Sequence, residues 1–135
     1  VACCLMQNRK SPVYGNFLEE VVQDLQQSVD MAIAAGISKD KICLDPGIGF
    51  GKTYEMNLQM MNNLRLIRDM GYPVLLGTSR KSMIGLTLGV DTDQRVEGTA
   101  ATTVIGYLQG CRIFRVHDVK ENLRALRMTE AIVNA

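Results

Sequence analysis

Lys41-Ile-Cys-Leu-Asp-Pro-Gly-Ile-Gly-Phe-Gly-Lys-Thr53 decides the fold class. A short apolar run, Lys41–Leu44, gives way to a Gly-rich loop that begins at Asp45. Thr53 is placed to cap a helix, which the spacing of Met60, Met61, Leu64 and Ile67 extends to Gly71. Strand, loop and helix make one β/α unit. Outward from it, three more apolar runs, Val1–Met6, Pro73–Leu76 and Arg112–Val116, recur every 30–40 residues. Runs apolar on both sides predict strands buried on both faces of a parallel sheet.

Helical spacing fills the intervals. Asn16, with Glu19 three residues on, opens a helix whose stripe is Leu18, Val21, Val22, Leu25, Val29 and Ala32, and Gly36 stops it. A third helix spans Arg95–Gln109, with Val96, Ala100, Val104, Ile105 and Leu108 inward. A fourth starts at Asp118, read as its cap, with Glu121 three residues later, and carries Val119, Leu123 and Leu126. The four alternations predict an α/β fold with right-handed crossovers. An open doubly wound sheet fits, and so do four β/α units forming the C-terminal half of a (β/α)8 TIM-type barrel. A whole barrel takes about 250 residues, and this chain has 135. Residues 1–135 read as one domain without a linker, and Val1–Met6 reads as an internal strand.

Composition narrows the function classes. The chain is 47% hydrophobic and 21% charged, with a net charge of +1 and no long run of one sign. This gives no electrostatic case for nucleic acid or a membrane surface. No apolar run approaches the roughly 18 residues a membrane helix needs. Cys3, Cys4, Cys43 and Cys111 form no CxxC pair and lie in or beside strand-like runs, which suits reduced core thiols in the cytoplasm. The methionines at 56, 60 and 61 read as core filler.

The chemistry-bearing residues follow the strands. They are Gln7-Asn-Arg-Lys10, Asp45-Pro-Gly-Ile-Gly-Phe-Gly-Lys52, Gly77-Thr-Ser-Arg-Lys-Ser82 and Arg115-Val-His-Asp118. In parallel β/α folds the C-terminal strand ends share one rim, where sites lie. Asp45 suits the adjacent N–H groups of a fused aminopyrimidine, or else a cap on the Asp-Pro-Gly turn. The Gly-rich loop is not a phosphate loop, because Pro46 stands where the first Gly is needed. Nor is it a dinucleotide fingerprint, because Lys52 replaces the third Gly. Phe50 offers an aromatic wall or plain loop packing. Ser79, Arg80, Lys81 and Ser82 surround two cations with hydroxyls at a helix start, an anion-binding pattern. Arg115 and His117, two apart, project to one face and suit a phosphate.

Asp45-Pro-Gly-Ile-Gly-Phe-Gly-Lys52, Gly77-Thr-Ser-Arg-Lys-Ser82 and Arg115-Val-His-Asp-Val119, in this order and spacing over essentially the whole chain, resemble the dihydropteroate synthase family. The resemblance implies a β/α barrel that joins 6-hydroxymethyl-dihydropterin pyrophosphate to p-aminobenzoate and releases pyrophosphate, with sulfonamides competing for the p-aminobenzoate site. It implies pterin binding by Met6, Asp45, Phe50, Gly77 and Lys81. It places p-aminobenzoate on Phe50 and Ser82 and pyrophosphate on Arg115 and His117, and gives catalytic roles to Lys81, Arg115 and His117. It also implies Mg²⁺, with its ligand in an N-terminal half absent here and none in this chain, and a homodimer. Gln7 stands where relatives often carry His. Two other readings are a pterin-dependent methyltransferase of the same barrel superfamily and a non-catalytic half-barrel binding fragment. The residues present imply that the fragment alone does not turn over substrate.

Overall fold

The computed structural model describes residues 1–135. Its strands are β1 (Cys3–Met6), β2 (Ile42–Asp45), β3 (Leu75–Leu76) and β4 (Ile113–Phe114). Its helices are α1 (Phe17–Ala34), α2 (Tyr54–Met61), α3 (Arg65–Arg68), α4 (Ser82–Leu88), α5 (Val96–Leu108) and α6 (Val119–Val133). β1 pairs parallel to β2, with Met6 opposite Asp45, and β3 pairs parallel to β4. A parallel bridge between Leu44 and Val74 joins the two pairs, so the strands lie in chain order.

Side-chain alternation separates the two faces of this sheet. Ile42, Leu44, Val74 and Leu76 are buried against the helices, in a cluster with Val21, Leu25, Met60, Leu64 and Ile67. The opposite face carries Cys4, Met6, Cys43, Asp45, Leu75 and Ile113, and no helical layer of residues 1–135 covers it. Cys4 and Met6 are exposed, and Ile113 is 41% exposed. The expectation of strands buried on both faces is corrected for β1 and β4. One helical layer on a parallel sheet in chain order is the arrangement of half a (β/α)8 barrel, in contrast to a doubly wound sheet.

Several local expectations change. The helix expected from Thr53 to Gly71 breaks after Met61. Asn62 and Asn63 favour the break, and buried Gln109 bridges it, donating to the Met61 carbonyl and accepting from the Arg65 N–H at 3.3 Å. The inward faces of α5 and α6 are also shifted. Thr99, Thr103 and Gly106 are buried on α5, and Asn122 and Thr129 on α6, while Ile105, Leu108, Val119 and Leu123 are exposed. Small and polar residues win these positions because the helices meet closely through a buried hydrogen bond, Thr103 Oγ1 to Asn122 Oδ1, at 2.8 Å. Asn16 accepts the Glu19 N–H, but Glu20 returns the bond to the Asn16 N–H. Thr53 caps α2 as expected, and Met60 and Met61 are core residues.

Candidate functional site

The C-terminal strand ends do share one rim. β2 ends in Asp45, which is only 4% exposed. Its Oδ1 accepts the Gly47 N–H at 2.8 Å, closing the Asp-Pro-Gly turn, and its Oδ2 lies 3.9 Å from Arg115 Nη2. The cap reading of Asp45 holds for one oxygen, and the other faces a cation across the sheet. Met6 sits beside it on β1. Gly77 follows β3, and a Cβ there would lie 2.9 Å from Arg115 Nη2, so the missing side chain lets the guanidinium cross the strand end.

A cavity of about 380 Å³ opens at this rim, lined by Gly77, Ser79, Lys81, Arg115, Val116 and His117. Three cationic or ionisable donors share it with one hydroxyl. The Arg115 side chain is 64% exposed and free to turn toward a ligand. Ser79 Oγ accepts the His117 backbone N–H at 3.0 Å and lies 2.7 Å from His117 Nδ1. The hydroxyl can donate to Nδ1 or accept from it, so either tautomer of the ring satisfies this contact.

Lys81 donates to the Ile48 carbonyl, and its Nζ lies 4.8 Å from the centre of the Phe50 ring. Burial lowers its pKa, against the pull of Asp45. Phe50 is 38% exposed on the Gly-rich loop. Ser82 is exposed at the start of α4 and does not line the cavity.

Arg80 is turned away from the cavity, and Asp118 is not the helix cap expected of it. Arg80 pairs with Asp118 at 2.8 Å, and the Asp118 carboxylate serves that pair and makes no cap bond to α6. The arginine fills a structural socket and is not available to an anion.

Sequence reasoning missed the support beneath the Gly-rich loop. Gln7, 2% exposed, donates to Tyr14 at 3.0 Å and to Asp24 at 2.9 Å. Its carbonyl oxygen accepts from Lys52. Burial pushes the Lys52 ammonium down to about 8. The signal available was the polar run Gln7-Asn-Arg-Lys10 beside an unassigned Lys52, but only folding shows that they meet. The cysteines are free, yet Cys4 is exposed rather than a core thiol, because β1 turns it to the uncovered face.

The residues present do not form a Mg²⁺ site. No three His, Cys, Asp or Glu side chains converge, and the carboxylates nearest the rim are engaged by Gly47 and Arg80.

Residues 1–117 match the family described as pterin binding enzyme. The chain is 56% identical to the dihydropteroate synthase of Clostridium beijerinckii, over 98% of this chain and 50% of that protein. It is 47% identical to that of Bacillus subtilis, over 99% and 47%. Among solved structures, the Yersinia pestis enzyme with a pterin–sulfa conjugate superposes with a TM-score of 0.96 at 41% identity, covering 100% of this chain and 53% of that one. The Clostridium difficile enzyme, determined in the presence of pteroic acid, gives 0.94 at 48%, covering 97% and 50%. The chain spans about half the length of the curated relatives it matches.

Proposed function

We infer that this chain, which belongs to the pterin binding enzyme family, supplies half of a dihydropteroate synthase site. The observation that carries this reading is one rim holding a buried acceptor, Asp45, beside the donors Lys81, Arg115 and His117. The Asp45 carboxylate takes the N–H edge of the pterin. Met6, Phe50 and Gly77 border the ring, and Lys81 holds its acceptor side. Arg115 and His117 bind the diphosphate of 6-hydroxymethyl-dihydropterin pyrophosphate. The C–O bond at the pterin methylene breaks, the amine of p-aminobenzoate forms the new C–N bond and loses a proton, and pyrophosphate leaves.

Charge builds on the departing diphosphate in the transition state, and fixed donors lower that barrier. Among the residues of this chain that stabilisation falls to Lys81, Arg115 and His117. Ser82, exposed next to Lys81, is assigned to the p-aminobenzoate carboxylate, where sulfonamides compete. The exposed apolar residues Ile105, Leu108 and Leu123 on α5 and α6 support a homodimer. Four unpaired thiols support a cytoplasmic setting.

The test is a fluorescence titration of residues 1–135 with 6-hydroxymethylpterin and, separately, with ATP. Saturable pterin binding without ATP binding is expected. ATP binding of equal strength would return the Gly-rich loop to the phosphate-loop class.

A further inference from the structure

We propose that Lys52 is a positioning residue for the pterin site, holding the loop from Gly47 to Gly51 shut beneath Phe50 and Lys81 without touching the ligand. The proposal rests on the pterin reading above. An ammonium has three hydrogens to donate. Those of Lys52 meet Gln7 Oε1, the Gly47 carbonyl at 3.0 Å and the Phe50 carbonyl at 3.1 Å. None remains for a ligand. Lys81, by contrast, makes one hydrogen bond and keeps donors to spare.

What Lys52 grips is the part of the loop that shapes the site. The Gly47 N–H fixes the Asp45 carboxylate, Ile48 accepts from Lys81, and Phe50 lies beneath the Lys81 ammonium. A single cation inside the loop thus sets the direction of three groups around the pterin. Gly47 lets the loop pass this close: its φ is +73°, and a Cβ there would collide with the backbone carbonyl oxygen of Gln7.

The anchor is itself anchored. Gln7 donates to Asp24 and Tyr14, Arg9 holds both oxygens of Asp24, and Tyr14 donates to the Gly51 carbonyl at 3.2 Å. The Gly-rich loop is therefore tied through Lys52 and Gln7 to α1, on a different β/α unit. Burial lowers the pKa of Lys52 only to about 8, so at neutral pH the ammonium keeps all three donors.

The natural chain contains no Trp, so Phe50→Trp gives a lone reporter on the loop. In that background Lys52→Met is expected to red-shift the emission and increase acrylamide quenching, with Lys120→Met on α6 as the control that leaves both unchanged. In the chain with Phe50 intact, Lys52→Met is expected to weaken 6-hydroxymethylpterin binding about tenfold, the effect of losing one charge-assisted contact's worth of order. Lys52→Arg, which keeps charge and donors, is expected to restore both readouts. Should Lys52→Met not fold, Lys52→Gln is read by the same criteria.

Unmoved emission, an unchanged pterin affinity, or a loss of affinity without movement of the loop overturns the proposal. The last result would make Lys52 a ligand contact. A parent chain that binds no pterin defeats the pterin reading instead, and the emission arm still decides whether Lys52 holds the loop.

Discussion

Arg80 sits at φ +57°, the only non-glycine residue of the chain in the left-handed region. Its surroundings hold it there. The Arg80 N–H donates to Thr99 Oγ1 at 3.1 Å, its carbonyl accepts from Arg95 at 2.8 Å, and its guanidinium grips Asp118. Arg115, at the next strand end, is mostly exposed and meets Asp45 only at 3.9 Å, beyond hydrogen-bond length. The two arginines therefore separate by role. Arg80→Ala is expected to lower stability only slightly, because the Arg80–Asp118 pair is partly exposed. It should leave pyrophosphate affinity unchanged. Urea unfolding with a parallel pyrophosphate titration checks both halves, and a loss of anion affinity with intact stability would reverse the assignment. From the sequence, Ser79, Arg80, Lys81 and Ser82 read as two hydroxyls around two adjacent cations, with Arg80 and Lys81 both counted toward an anion. Backbone direction divides them, and a linear motif does not carry that information.

The elements themselves were legible where the apolar period was undisturbed, as in α1, whose buried Val21, Leu25, Val29 and Ala32 follow the expected stripe. They were less legible where a distant side chain replaced a local bond. Gln109 at the end of α5 completes the break between α2 and α3, 48 residues earlier in the chain at Met61. Gln109→Leu is expected to cost about 1–3 kcal/mol, the range for leaving buried polar groups unpaired. Thermal unfolding monitored by circular dichroism checks this, and an unchanged midpoint would mean that the Asn62–Asn63 turn holds the break alone.

The α1 tie to the Gly-rich loop has a pH signature. Hydrogen bonds from Arg9 hold the Asp24 pKa below its ordinary 3.8. With a depressed folded-state pKa, the stabilisation is fully present above the unfolded value and is lost as pH falls through the folded one. Unfolding at pH 6 and pH 3 should therefore show a smaller acid loss in Asp24→Asn than in the parent. Equal losses would remove Asp24 from the acid-sensitive groups.

For the whole molecule, the order of four β/α units and the rim shared by their loops were legible in the sequence. The uncovered face and the phases of α5 and α6 were not. Alternating apolar residues record that a face avoids water but not what covers it, and Thr and Gly at close helix contacts leave no apolar signal. β1 and β4 present free edges, with Met6 and Ile113 on the uncovered face. Residues 1–135 are therefore expected to self-associate at micromolar concentration, and a clean monomer in light scattering would contradict this. They are also expected not to turn over substrate, because positioning is shared with groups outside this half of the site. Pyrophosphate release on the order of 1 s⁻¹ or faster, a rate typical of enzymes, would contradict that.

The division of the rim into an acceptor for the pterin and donors for the diphosphate is tested most directly by calorimetry. The chain, Asp45→Asn and Arg115→Ala are each titrated with 6-hydroxymethylpterin and with pyrophosphate. Arg115→Ala should lower pyrophosphate affinity by roughly ten- to a hundredfold, the loss of a charge-assisted contact, while pterin affinity changes little. Asp45→Asn should show the reverse, because its amide turns donors toward the donors of the ring. Equal losses of both ligands in both variants would contradict the division and make Asp45 and Arg115 structural residues.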